Sequence, residues 1–273
     1  MRKINKSALP NLLSNYAIKH PDDYWDDFKQ YNASSDFNQI KKKLFTEQND
    51  ICAYCEVNLD VDEDDGRYEH HRRVEHFDSK SSWRRGDPYP NLHLLWNNLF
   101  GVCLGGTDPK NMAQYEMPAN KSCDSFKEHL ETNVAGTSKI WTGNVLKPSN
   151  SKISSNLFSY DKATGHLIVN SDFCNSVVIT PNLHATVAEL VENTIISFNL
   201  NCERLNGARR MVHHEFERQK KHARSNIEKY KKFVLNWSTG KPKPFQTTRD
   251  ILIRDCSIAQ KLLQGQMLQR KGN

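Results

Sequence analysis

No stretch of this 273-residue chain approaches the ~18 consecutive apolar residues that a membrane span requires, so no membrane association is expected. The opening Met1-Arg-Lys-Ile-Asn-Lys6 has no apolar core of a secretory signal, which points to a cytoplasmic protein. No G-x-x-x-x-G-K-[S/T] loop occurs, so the chain is not expected to hydrolyse nucleoside triphosphates itself. No internal repeat is visible. The seven cysteines are an odd number in a chain without an export signal, which argues against a disulfide framework and for reduced thiols or metal ligands. Hydrophobic residues make up 37% and mean hydropathy is -0.74, so the core must be modest, although a chain of this length can bury one or two domains. The net charge of +6 leans weakly towards a polyanionic partner.

Residues 1–50 read as a helical lead-in. Pro21-Asp22-Asp23 is a helix start, with Tyr24, Trp25 and Phe28 on one face, and a second helix is expected from about Phe37 to Gln48. Asp60 to Gly66 is rich in carboxylates but lacks the ligand spacing of a calcium loop, so a solvated hairpin is expected there. Residues 78–91 and 105–120 read as loops, and 140–156, low in pattern, as a boundary. Leu157 to Val169 reads as a hairpin turning at Gly165. From Pro181 the chain reads as helical, with a stripe of Val187, Leu190, Val191, Thr194, Ile195 and Phe198. Arg209 to Lys232 follows as a solvated polar face, or alternatively a nucleic-acid groove. Lys241-Pro-Lys-Pro244 ends that run, and a terminal helix is expected from Thr248 to about Leu268.

The stretch from Cys52 to Lys127 carries the chemistry. A C-x-x-C turn, Cys52 to Cys55, can present two thiolates to one ion, and Cys103 and Cys123 offer a second pair. A four-thiolate site is closed to water and substrate, so the expected zinc is structural. Glu75-His76 supplies different chemistry. On a strand the two side chains alternate, so a carboxylate can hold a hard divalent ion while the imidazole takes a proton from water. Asn98 and Asp124 would be tethered to the same region by the cysteines. A turn role for Asn98 and a helix-capping role for Asp124 remain compatible with this.

These residues resemble the H-N-H endonucleases with a ββα metal finger, and more closely the PtuB-type nucleases of Septu and retron anti-phage systems. The matching stretches are C-A-Y-C-E at 52–56, V-E-H-F at 74–77, Y-P-N-L and W-N-N-L within 89–99, Cys103, and C-D-S-F-K at 123–127. The likeness extends to F-S-Y-D-K-A-T-G-H-L and to I-S-F-N-L-N-C-E-R-L-N-G-A-R-R. It implies His76 as general base, Asn98 as the residue that holds the finger and orients the histidine, and Asp124 with Glu75 as ligands of a catalytic Mg2+ or other divalent ion. It implies zinc on Cys52, Cys55, Cys103 and Cys123, and a PtuA-type ATPase as partner. Two positions depart from the pattern: Glu75 stands where Asp or His is frequent, and Asp124 where Asn or His is usual.

The expectation is therefore an α+β, mostly helical protein. A zinc-stabilised nuclease core at 51–135 lies between the lead-in and a C-terminal hairpin-plus-helix region, 136–273. Its strands fall near 72–77 and 98–103, and its helix starts near Asp124. DNA is the expected substrate, with Lys127, Arg84 and Arg85 as candidate phosphate contacts. RNA, such as transfer RNA, is an alternative with the same chemistry, and a non-catalytic binding module is the alternative from another class.

Overall fold

The computed structural model describes residues 1–59, 71–223 and 225–271; the expected acidic hairpin at 60–66 lies outside them. The described residues form eleven α-helices and four short strands, an α+β fold. In chain order these are α1 (Asn11–Lys19), α2 (Trp25–Gln30), α3 (Ser35–Glu47), β1 (Arg73–His76), β2 (Leu99–Val102), α4 (Pro109–Gln114), α5 (Cys123–Asn133), β3 (Phe158–Tyr160), β4 (Leu167–Val169), α6 (Ser171–Cys174), α7 (Val187–Ser197), α8 (Glu203–His222), α9 (Ile227–Ser238), α10 (Gln246–Arg254) and α11 (Ser257–Lys271).

β1 and β2 pair antiparallel, with Glu75 opposite Phe100 and His76 opposite Leu99. Leu-Phe-Gly-Val is an unbroken apolar run because both faces of β2 are covered. Leu99 packs with Leu13, Trp25, Phe28, Ile40, Leu44, Leu94 and Trp96 under α1 to α3. Phe100 and Val102, pointing the other way, join a larger core that runs from Met1 to Ala259. Gly101 is required here: a Cβ would lie 2.8 Å from the Phe45 ring of α3. The Gln48 amide completes the joint, donating to the Gly101 carbonyl (2.7 Å) and accepting from its N–H (2.8 Å). The β-ribbon is thus clamped between two cores, which fixes the side chains along its edge.

Several elements differ from expectation for physical reasons. Pro10 leads into α1, and α2 starts at Trp25 after Pro21, where Asp27 caps the Tyr24 N–H (2.8 Å). The 105–120 loop contains α4, capped by Asp108. Residues 140–156 contribute Trp141, Val145, Leu146 and Ile153 to the large core. They are fastened by Asp78, which accepts from the N–H groups of Trp141 (2.7 Å) and Thr142 (2.8 Å). The polar run 209–232 is two helices, with Asn226 capping α9, and its first residue is not solvated: Arg209 is 2% exposed. The terminal helix is likewise divided at Asp255, into α10 and α11. No helix among the described residues is long and apolar enough to cross a membrane.

Candidate metal centre and catalytic cleft

The C-x-x-C turn sits against β2, where the Ala53 N–H donates to the Gly101 carbonyl (3.1 Å). Cys103 follows β2 directly, and Cys123 opens α5 with a φ of 56°, an unfavourable backbone for a residue with a Cβ. Gly105, φ 64°, lets these two segments meet: a Cβ there would lie 2.2 Å from the Ser122 carbonyl. The loop between Cys103 and Cys123 is therefore closed at its base, where the Ser122 N–H donates to the Gly105 carbonyl (2.9 Å).

The result brings Cys52, Cys55, Cys103 and Cys123 together, all buried, with their Sγ atoms within 4.8 Å of one another. Individual separations are 3.8 Å (Cys52 to Cys123), 3.6 Å (Cys55 to Cys103) and 3.8 Å (Cys103 to Cys123). A disulfide needs about 2.05 Å. A tetrahedral ion with metal–sulfur bonds of about 2.3 Å sets its sulfurs about 3.8 Å apart. The surroundings also fit thiolates. N–H groups of Cys103 and Gly105 point at the Cys52 and Cys103 sulfurs (3.4 and 3.3 Å). Arg204 and Arg209 lie within electrostatic reach and form no ion pair with a carboxylate among the described residues; the Arg204 Nε is buried without a partner. Two inward guanidiniums held in no ion pair among the described residues suit an anionic cluster, and the four cysteines can hold a metal ion. Cys174, Cys202 and Cys256 stand apart from this group and are buried.

Beside this centre lies a cleft of about 540 Å³. Its lining includes Glu75 and His76 from β1, Asp124 and Lys127 from α5, and Trp25 and Phe37 from α2 and α3. His76 is 5% exposed, and its Nε2 lies 3.1 Å from the His93 carbonyl. A carbonyl can only accept, so Nε2 carries the hydrogen and Nδ1 is the bare acceptor. Trp25 packs edge-on against the imidazole at 4.9 Å. Burial pushes the His76 pKa down from 6.5 to about 3, with the Lys80 charge adding to the effect against the His93 hydrogen bond. The ring is therefore neutral across the physiological range.

Glu75 and Asp124 meet inside the cleft. Burial, then the charge of and a hydrogen bond with Asp124, push the Glu75 carboxyl well above the usual carboxylate range, against the opposing pull of Lys127. Two carboxylates in contact need either a shared proton or a cation, and their oxygens are the donors a hard divalent ion takes. Lys127, expected as a phosphate contact, is turned inward. Its ammonium pairs with Glu75 and donates to the carbonyls of His76 (2.7 Å) and Phe77 (3.0 Å), so all three donors are spent on β1 and the residue that follows it.

Asn98 is fully buried, and its hydrogen bonds do not go to the His76 ring. Its Oδ1 accepts from the Asp78 N–H (2.8 Å), and its Nδ2 donates to the carbonyls of Asp78 (2.9 Å) and Leu92 (3.0 Å). Since Leu92 immediately precedes His93, this amide holds the peptide segment that fixes His76. Arg84 and Arg85 are exposed and outside the cleft lining; Arg85 instead donates to the Asp22 carbonyl (3.1 Å). Sequence reasoning missed His93, which acts through its backbone while its Nδ1 accepts from the Trp25 N–H (3.0 Å). No side-chain pattern marks a residue that works through its carbonyl.

No family model matches the chain. A curated Escherichia coli protein named "Retron Ec83 putative HNH endonuclease" is 40% identical over 265 residues, which is 97% of this chain and 98% of that protein. A likeness of this degree over nearly the full length of both shows the family: the chain belongs to the HNH endonucleases and is an enzyme of that type.

Proposed function

We propose that the chain hydrolyses phosphodiester bonds of DNA in a divalent-ion-dependent reaction, with His76 as general base. The observation that carries this reading is the tautomer of His76. The His93 carbonyl commits Nε2 as donor and leaves Nδ1 unprotonated on a residue lining the cleft that also holds the Glu75–Asp124 pair.

In this reading β1, β2 and α5 form the ββα finger, and Cys52, Cys55, Cys103 and Cys123 hold zinc as a closed structural centre. Glu75 and Asp124 would hold Mg2+ or another hard divalent ion, which would polarise the phosphate and stabilise the leaving oxygen. His76 Nδ1 accepts the proton of the attacking water. An imidazole held neutral by burial is always available as an acceptor, and a phosphate anion entering the cleft raises its basicity by favouring the imidazolium. Asn98 keeps the Leu92-His93 segment, and hence the ring, in place. Lys127 fixes one Glu75 oxygen against β1, which orients the carboxylate relative to Asp124.

The retron relative supports a place in an anti-phage system, and the sequence resemblance supports a PtuA-type ATPase as partner in a cytoplasmic complex. The test is His76→Ala assayed on duplex DNA and on RNA, with divalent ions and with the partner ATPase supplied. We expect loss of at least 100-fold in cleavage with the metal content of the four-cysteine centre unchanged. Cleavage that persists in this variant refutes the general base, and faster turnover of RNA than of DNA refutes the substrate.

A further inference from the structure

The cleft is lined by six cationic side chains, Lys29, Lys41, Arg72, Arg73, Lys80 and Lys127, against Glu75, Asp124, Glu128 and Glu131. Most of these cations are already engaged. Lys29 pairs with Asp26 at 2.8 Å, Arg72 pairs with Asp50 at 2.7 Å and donates to the Leu59 carbonyl, and Lys127 is spent on β1. Lys41 also has an interaction of its own. Arg73 and Lys80 differ: neither side chain makes a hydrogen bond or ion pair among the described residues, although both line the cleft. Arg73 is exposed on β1 upstream of His76, and Lys80 heads the turn downstream of it.

A second observation places the Lys80 charge at the reacting centre. Its field reaches His76, His93 and Asp26 together. The carboxylates in the cleft would repel a polyanion. Two cations on the same lining that are held in no ion pair among the described residues are what could overcome that repulsion.

We propose that Arg73 and Lys80 form a phosphate clamp, binding backbone phosphates of the nucleic-acid strand on either side of the bond presented to His76. This rests on the reading of the cleft as the hydrolytic site. Guanidinium can grip one phosphate bidentately, while the lysine acts as a point charge. Phosphate binding of this kind positions the substrate without reading its sequence.

The test uses the full chain with Arg73→Gln and Lys80→Gln, singly and together. A charge-matched control, Lys152→Gln/Lys162→Gln, changes two exposed lysines outside the cleft. Binding is measured in a His76→Ala background with a 30-base-pair duplex and its single strand, across a salt series, and cleavage is measured with His76 intact. We expect the Arg73/Lys80 double variant to lose at least 10-fold in affinity and to raise KM more than it lowers kcat. Its log–log salt slope should be shallower by about two, close to 0.9 for each phosphate no longer neutralised. Each single variant should show part of that change, and the control should stay within about 2-fold. A double variant that binds and cuts like the control overturns the clamp, as does a parent chain that binds neither polymer. Loss of binding in the double variant with no cleavage by the parent chain, divalent ions and the partner ATPase being supplied, would leave the clamp standing and refute the hydrolytic reading instead.

Discussion

The Lys127 ammonium reaches from α5 to the Glu75 carboxylate on β1, with both side chains almost wholly buried. Each depends on the other, because a buried charge without its partner is far more costly than the pair is favourable. Lys127→Met should therefore destabilise the protein by roughly 3–5 kcal/mol. Glu75→Gln together with Lys127→Met should cost less than the sum of the singles, because the second change removes the orphaned charge. Thermal or urea unfolding of the four proteins closes the double-mutant cycle, and additivity within about 0.5 kcal/mol would show that the pair is not coupled.

Burial of His76 has a consequence for acid stability. Its native pKa of about 3 lies below the ordinary 6.5, so between these values the unfolded chain binds a proton that the native chain does not. Stability attributable to this residue is then lost as pH falls below 6.5, progressively towards 3. Between pH 7 and pH 5, His76→Gln should lose less stability than the parent. Parallel unfolding curves at the two pH values would rule out a depressed His76.

Asn98 is bonded through both ends of its amide, and Asp is the more damaging replacement than Ala. Asn98→Asp would turn a carboxylate oxygen towards the Asp78 and Leu92 carbonyls, which can only accept, and bury a charge. Asn98→Ala leaves two carbonyls and one N–H short of a partner, at about 1–3 kcal/mol for each group left unsatisfied. Both should lower kcat, on the order of 100-fold where the loop carrying His93 moves by about an ångström. Full activity in a folded Asn98→Asp enzyme would separate this amide from catalysis.

Much of this site was legible because its chemistry lies in residue types with few other uses. C-x-x-C announced two of the four sulfurs that come together, and Glu75-His76 announced a strand whose two residues both line the cleft. The remainder depended on packing that spacing does not encode. Lys127 is one turn from Asp124, which suits either a solvent-facing or an inward lysine; the carbonyls at the end of β1 decided for the latter. Arg209 sits in a run of charge that reads as a solvated face, yet its guanidinium is taken up by the Leu200 carbonyl (2.5 Å) and Asn206 (3.2 Å) inside the large core. The pairing of Cys103 with Cys123 was open in sequence because it rests on Gly105 and on the Ser122 N–H, a backbone closure rather than a motif.

That closure makes the four-cysteine centre the base on which Asp124 stands, since Asp124 follows Cys123 at the first turn of α5. One tightly bound zinc per chain is expected by elemental analysis, released on denaturation with a chromogenic chelator present. A structural zinc centre can contribute on the order of 10 kcal/mol of apparent binding free energy, comparable to the whole stability of a typical domain. Cys103→Ser should therefore lose the zinc and unfold at a much lower temperature. Cys202→Ser, at a buried cysteine outside the centre, should keep the full metal content. The two variants separate metal binding from thiol packing: equal zinc content in both would show that the four sulfurs are neighbours in the core and not ligands.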